Sequence, residues 1–153
     1  MKISQTKNIE LIAQLNKHVH DLHYDLYPEY FKKYNFKDVK EVFKSIINKP
    51  NNLFLLLEEK NEAVGYAWIE IKEYPENAFK KSYKSIYVHQ ICIMDSKRNN
   101  GHGSFLLNEI YHIAQNKGIE LVELDYWCEN KIAKSFYQKH KFKKYREIVF
   151  RKV

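Results

Sequence analysis

The sequence predicts an α/β fold, one mixed sheet covered by helices on both faces, in a single domain over residues 1–153. Three observations carry this. Strand-like and helix-like hydrophobic periodicities alternate along the chain in the order β-α-α-β-β-β-α-β-α-β. A length of 153 residues with 44% hydrophobic residues is one domain's worth and enough to bury a core. No internal repeat, low-complexity tract or linker marks a boundary inside it.

Residues 2–5 form a short first strand. Ile12, Leu15, Val19 and Leu22 recur at helical spacing and mark a helix that must end near Pro28, because proline cannot donate to the helical ladder. Val39, Val42, Phe43, Ile46 and Ile47 mark a second helix, with Asn35 as its cap and Pro50 soon after its end. Leu53 to Leu57 is an apolar strand and Ala63 to Glu73 another, joined by the polar turn Glu59-Lys60-Asn61-Glu62. Residues 85–94, 119–126 and 142–151 supply further strands, and helices at about 103–117 and 131–139 lie between them.

Composition excludes several function classes. No apolar run approaches 18 residues, and neither end carries a signal-peptide or lipidation pattern, so no membrane partner is expected and the expected location is cytoplasmic. Cys92 and Cys128 form no metal-binding or redox pair and read as small free hydrophobes in a reducing compartment. His20 and His23 sit one helical turn apart, but no third ligand accompanies them, so no metal is expected. The net charge of +7 permits a polyanionic partner without naming one. The basic residues are scattered and no nucleic-acid motif accompanies them, which favours a solvated surface over a nucleic-acid partner.

The segment Arg98-Asn99-Asn100-Gly101-His102-Gly103 uses two of only four glycines in the chain. It joins the strand Ser85 to Met94 to a helix whose Leu106, Ile110, Ile113 and Ala114 share one face. A glycine-bearing turn that opens a helix can cradle an anion, because the first helical N–H groups lack internal partners and the dipole is positive there. A mononucleotide P-loop would need a lysine after Gly103, where Ser104 stands. A dinucleotide fingerprint would need a third glycine at Leu106, and the chain after Asp125 is too short for the rest of a doubly wound sheet.

The loop and its flanks resemble motif A of the GNAT superfamily of N-acetyltransferases, Arg/Gln-x-x-Gly-x-Gly/Ala after a strand ending in an aliphatic pair, here Ile91-Cys92-Ile93. Asn130-Lys131-Ile132-Ala133-Lys134-Ser135-Phe136-Tyr137 is similar to the family's Asn-x-x-Ala-x-x-Phe-Tyr helix, and Phe142 stands where the following Gly-Phe ends. Asn99 replaces a common glycine and Lys141 the glycine before Phe142. Asparagine tolerates left-handed dihedrals; lysine does so less readily.

This resemblance implies a mostly antiparallel sheet in which two strands splay apart to receive acetyl-CoA. It places Ile91, Cys92 and Ile93 at the exposed strand edge, acting through backbone groups, and Arg98, Asn99, Asn100, Gly101, His102, Gly103 and Ser104 at the pyrophosphate. Asn130, Lys134 and Tyr137 complete the implied coenzyme contacts. Tyr137 matches the family tyrosine near the coenzyme sulfur, where a phenol can donate a proton to the departing thiolate or hold it by a hydrogen bond.

His89 is the candidate general base. An imidazole exchanges protons near neutral pH, and period-two alternation puts His89 on one face with Tyr87, Ile91 and Ile93. The same position carries a catalytic-site histidine in family members such as serotonin N-acetyltransferase. A strand histidine can also serve only to hydrogen-bond within the sheet. Tyr24, Tyr27, Tyr30, Phe31, Tyr34 and Phe36 crowd around Pro28 with Asp21, Asp25 and Glu29 among them, either as an aromatic core or as a wall for an amine acceptor. The expected activity is acetyl transfer from acetyl-CoA to a primary amine by direct attack. Two other classes stay open, a catalytically silent acyl-CoA-binding regulator and a basic nucleic-acid-binding module, and a homodimer is compatible with each.

Overall fold

Asparagines start three of the four helices. In the computed structural model, which describes residues 1–153, Asn8 Oδ1 accepts the Leu11 N–H at 3.1 Å, Asn35 Oδ1 that of Asp38 at 3.1 Å, and Asn130 Oδ1 that of Ala133 at 3.0 Å. Each cap contributes about 1 kcal/mol by satisfying an otherwise orphaned donor. The elements are β1 (Lys2–Gln5), α1 (Ile9–Leu26), α2 (Phe36–Ile46), β2 (Asn52–Glu59), β3 (Glu62–Tyr74), β4 (Tyr83–Ile93), a 3-10 turn (Asp95–Lys97), α3 (His102–Asn116), β5 (Leu121–Leu124) and α4 (Lys131–Lys139).

The strands form one sheet in the order β1-β2-β3-β4-β5. β1 to β4 are antiparallel in succession, and β5 lies parallel to β4. Lys60 and Asn61, with φ of 52° and 65°, turn the chain between β2 and β3, the geometry a two-residue hairpin requires. Helices cover both faces. Leu106, Leu107, Ile110 and Ala114 of α3 bury against Leu55, Leu57, Ala67, Ile69, Ile86 and Val88. Ile12, Ala13 and Leu15 of α1 with Phe43 of α2 bury against Phe54, Leu56, Tyr66 and Cys92 on the other face. Each large side chain so buried contributes about 1.5–3 kcal/mol.

Three sequence expectations need correction. The strand expected at 142–151 does not form: after the Phe142 N–H bonds to Tyr137 O at 3.0 Å, residues 143–153 make no backbone hydrogen bond. Their apolar residues are as β-prone as those of a true strand, but no neighbouring strand in this chain pairs with them. β5 is shorter than 119–126, because the Ile119 N–H closes the end of α3 on Ala114 O at 2.9 Å and the chain leaves β4 after Leu124.

The third correction concerns β4. Its register to β3 shifts where Trp68 pairs with Gln90 and Ile69 with Val88, leaving His89 as an extra residue, a β-bulge. The alternation therefore breaks at His89. Tyr87, opposite Glu70, faces α1 and α2, whereas Ile91 and Ile93, opposite Ala67 and Gly65, face α3. His89 joins Tyr87, since it touches Glu70 and Trp68 on that side.

Candidate functional site

β4 and β5, the last two strands in the sheet order, pair over only part of the length of β4. They pair from Ser85 with Leu121 to Val88 with Leu124, while β4 continues beside β3 as far as Gly65 with Ile93. Residues 89–93 thus have one edge without a strand, and the backbone groups of alternate residues point to that open side. On the other side of β4, a Cβ on Gly65 would stand 2.5 Å from Cys92 O and 2.6 Å from Ile93 Cδ1, so only glycine lets β3 lie this close. The Cys92 side chain points away from the free edge, with Sγ donating to Leu15 O at 3.0 Å, and burial pushes its thiol up to about 12. Its backbone faces β3: the Met94 N–H bonds Val64 O, and by the antiparallel alternation Cys92 pairs with Tyr66 in the same way, so the edge contribution expected of Cys92 falls to its neighbours Ile91 and Ile93.

The free edge leads into the loop. Arg98 does not reach outward; it pairs with Asp95 at 2.6 Å and donates through Nε to Ile93 O at 3.4 Å, bracing the turn. Asn99 takes φ of 64° and Gly101 φ of 81°, two left-handed steps that turn the chain into α3. The first helical bond is Phe105 N–H to Gly101 O at 2.9 Å, which leaves the N–H groups of His102, Gly103 and Ser104 without helical acceptors. Asn99, Asn100 and Gly101 are exposed.

The two loop glycines serve different ends. A Cβ on Gly101 would meet nothing within 4 Å, so its requirement is the positive φ. A Cβ on Gly103 would stand 3.2 Å from the Phe136 ring, so its requirement is close packing of α3 on α4. His102 is turned inward: 3% exposed, it places Nε2 3.2 Å from Glu59 Oε1, leaving only its backbone N–H for the loop. Lys97 bonds the other oxygen of Glu59 at 2.8 Å and is the main reason that carboxyl lies below its ordinary range. Ser104 Oγ meets His140 Nε2 at 2.9 Å.

α4 forms the second wall. Asn130 is 7% exposed, and its side chain is spent on capping the helix. Lys134 is half-buried, and its ammonium pairs with no carboxylate of the chain. Tyr137 is buried at 9% exposure, stacked 6.0 Å from Tyr126 and in edge contact with Phe142 at 5.4 Å. Burial, reinforced by the charge of Asp125, raises its phenol well above the ordinary tyrosine value. It stays protonated at neutral pH. Lys141 takes the left-handed φ of 64° that glycine would hold more easily, and so brings Phe142 back onto α4.

On the opposite face, His89 Nε2 lies 2.7 Å from Glu70 Oε2, and the Trp68 ring stacks on the imidazole at 4.1 Å. Tyr87 contacts the same imidazole at 4.9 Å and donates its hydroxyl to Asp125 just past the end of β5. Asp125 thereby lies between the surroundings of His89 and those of Tyr137. Behind them, Tyr66 OH accepts from Asn16 at 2.8 Å and donates to Gln90 at 2.5 Å, a buried network that locks α1 to the bulged strand. Glu70 and Trp68 carry no sequence signal of a site; only the cross-strand register brings them to His89.

The aromatic residues around Pro28 do not form a core beneath the two helices. Tyr27, Phe31 and Tyr30 gather around Trp127 at 4.7, 5.2 and 5.6 Å, with Tyr30 and Trp127 substantially exposed. Tyr27 OH accepts the Glu129 N–H at 2.9 Å, joining the end of α1 to the loop after β5. Trp127 went unnoticed in the sequence because nothing near it is periodic. His20 binds Lys32 O at 2.7 Å and His23 stacks on Phe31 at 5.0 Å, so neither histidine is arranged with other ligands around a metal.

A strand edge freed by splaying, leading directly to an uncapped helix start, coincides with a family match: residues 17–142 fit the model of the acetyltransferase (GNAT) family. The chain belongs to the GNAT family. A tetramutant of the BH1408 protein from Bacillus halodurans resembles this GNAT domain over 100% of both chains, with a TM-score of 0.93 and 18% identity. A transcriptional regulator from Bacillus halodurans C-125 aligns over 99% of both chains with a TM-score of 0.76 and 19% identity. The aminoglycoside N-acetyltransferase AAC(6')-Iy in complex with CoA has a TM-score of 0.70 and 19% identity, covering 99% of this chain and 93% of that one. At such identities the likeness is one of fold. No curated protein matches the sequence. No helix of this GNAT domain is long and apolar enough to cross a membrane.

Proposed function

We propose that this GNAT domain transfers the acetyl group of acetyl-CoA to a primary amine by direct attack. The observation that carries the reading is the free edge of residues 89–93 running into the unpaired N–H groups of His102, Gly103 and Ser104. Edge amides and carbonyls suit the amide-bearing arm of a coenzyme, and a helix start with left-handed residues before it suits a pyrophosphate. The residues present therefore fit acetyl-CoA, which supplies an acyl group activated as a thioester. In this reading Lys134, whose ammonium has no carboxylate partner, is the side chain that meets the nucleotide phosphates. Arg98, His102, Ser104 and Asn130 contribute through the backbone and through shaping the loop, since their side chains are engaged within the protein.

His89 acts as the base. With Nε2 given to Glu70, Nδ1 is the nitrogen left to accept a proton from an ammonium substrate. The freed amine forms the new N–C bond, the C–S bond breaks, and the proton shed as the amide forms balances the thiolate to give neutral thiol. Tyr137 then serves as a hydrogen-bond donor to the developing thiolate. Full proton transfer would leave a buried phenolate, which its raised pKa opposes. Positioning between β4, α3 and α4 contributes much of the remaining acceleration. The exposed faces of Tyr30 and Trp127 form one wall for the acceptor, whose amine carries an apolar or aromatic body.

The experiment is thiol release from acetyl-CoA with a panel of aliphatic, aromatic and aminoglycoside amines. Release with an amine in the panel supports the enzyme, with aromatic amines preferred. The resemblance to a transcriptional regulator keeps a second reading, acyl-CoA binding without turnover. Tight acetyl-CoA binding with no release from any amine would establish that reading instead.

A further inference from the structure

Three carboxylates stand around His89 and the end of β5, and only one of them is free. Glu70 is taken up by His89 at 2.7 Å and Lys72 at 3.8 Å. Glu123 is 6% exposed and accepts the hydroxyl of Tyr145. Asp125, the first residue past β5, is exposed and pairs with no lysine, arginine or histidine; its partner is the Tyr87 hydroxyl, which donates to Oδ2 and leaves Oδ1 open. Burial foremost, and then this hydrogen bond, raises the Tyr87 phenol above its ordinary value, so Tyr87 holds the carboxylate as a neutral donor and does not cancel its charge. Lys72 lies over the Tyr87 ring at 3.9 Å but its ammonium faces Glu70, and Arg146 reaches Tyr87 through its field alone.

The place of Asp125 gives that charge a use. Tyr87, which holds it, touches the His89 ring at 4.9 Å, and the charge of Asp125 is felt at the Tyr137 phenol. Tyr126, next in the chain, stacks on Tyr137 at 6.0 Å, and Trp127 after it meets Tyr27 and Tyr30 at 4.7 and 5.6 Å. Residues 21–31 and 119–130, the two segments joined here by Tyr27 and Glu129, contain no lysine or arginine, in a chain whose net charge is +7. We infer that Asp125 Oδ1 receives the ammonium of the acceptor and so selects amines that are protonated at neutral pH over neutral amines and over amines that carry a carboxylate. The inference rests on the transferase reading above and narrows its acceptor to an alkylammonium, with or without an aromatic body. A charge-assisted hydrogen bond to Oδ1 orients the nitrogen, and Tyr87, by holding Oδ2, limits the rotation of the carboxylate it meets. Once His89 has taken the proton the ion pair is gone, and the neutral amine is free to attack the thioester carbon.

The test titrates the whole protein, with and without coenzyme A, against 2-phenylethylammonium and its neutral isostere 2-phenylethanol by calorimetry. The wild type is expected to bind the ammonium about tenfold more tightly than the alcohol, and Asp125→Asn, whose amide oxygen still accepts from Tyr87, to bind the two within about twofold of each other. Glu129→Gln removes an equal charge from the same exposed loop and should keep the wild-type ratio. No difference between ammonium and alcohol in the wild type, an unchanged ratio in Asp125→Asn, or an equal loss in Glu129→Gln would each overturn the inference, the last by making selection a property of the general field. Thiol release from acetyl-CoA with 2-phenylethylamine adds a kinetic reading: Asp125→Asn should raise the KM of the amine about tenfold while kcat stays within about threefold. An ammonium preference carried by Asp125 without thiol release from any amine would leave this inference standing and remove the transferase reading. Turnover with a binding ratio indifferent to Asp125 would do the reverse.

Discussion

His89 and Glu70 form an imidazole–carboxylate pair, 2.7 Å apart, on the face of the sheet that Tyr87 and Trp68 share. A regular strand would have kept Ile91 and Ile93 on the face of Tyr87 and His89, and the extra residue in β4 separates the two pairs. The Trp68 ring, stacked at 4.1 Å, restrains the imidazole, while Glu70 selects the tautomer with Nδ1 free.

If His89 is the base, His89→Ala lowers kcat/KM by roughly 10²–10⁴ and removes the ionisation on the acidic limb, with acetyl-CoA affinity nearly unchanged. Glu70→Ala acts through His89 and should lower kcat by about tenfold or more, again without moving coenzyme affinity. Steady-state profiles with one accepted amine check both. A His89→Ala enzyme with the wild-type rate and limb would make this histidine a sheet hydrogen-bonder and nothing more.

Tyr137→Phe should slow turnover while keeping the acidic limb. Its stability signature lies at the other end of the pH scale. The folded-state pKa is raised by burial, so the contribution of the neutral phenol is complete below the unfolded tyrosine value, about 10, and is lost as pH rises toward the folded value. The thermal midpoint of wild type should therefore fall relative to that of Tyr137→Phe as pH rises from about 9 to 11. Parallel midpoint curves across that range would contradict the burial assigned to the hydroxyl.

Gly101 and Gly103 should fail differently when replaced. Gly101→Ala meets open space but must hold φ of 81°, a backbone cost of about 1–2 kcal/mol with α3 and α4 undisturbed. Gly103→Val drives its side chain into the Phe136 ring, which packs on Tyr137 at 5.1 Å. Its expected cost is about 1–3 kcal/mol of stability in addition to weakened acetyl-CoA binding. Chemical denaturation beside binding titrations separates the two. Wild-type acetyl-CoA affinity in a folded Gly103→Val protein would remove the phosphate-cradle assignment.

Lys141→Gly is expected to stabilise the fold. Releasing a left-handed lysine recovers about 1–2 kcal/mol, of which the greater freedom of glycine in the unfolded chain takes back about 0.4–1 kcal/mol. A lower thermal midpoint for Lys141→Gly would show that the lysine side chain makes a contribution larger than its strain.

Much of this protein was legible before any coordinates. The helices announce themselves because apolar spacing and an asparagine cap are local: Asn35 sits at the start it predicts, and Pro28 and Pro50 follow the helices they end. The loop from Arg98 to Gly103 was readable for the same reason, since scarce glycines between a strand and a helix admit few conformations. Tertiary structure decided whatever depended on register and neighbours. Whether His89 shared a face with Ile91 and Ile93 turned on one extra residue, which only the pairing with β3 reveals. Gly103 is required by a ring on α4, and His102 by a carboxylate at the end of β2. Residues 142–151 have the composition of a strand and are not one within this chain, because a strand needs a partner and sequence propensity does not supply it.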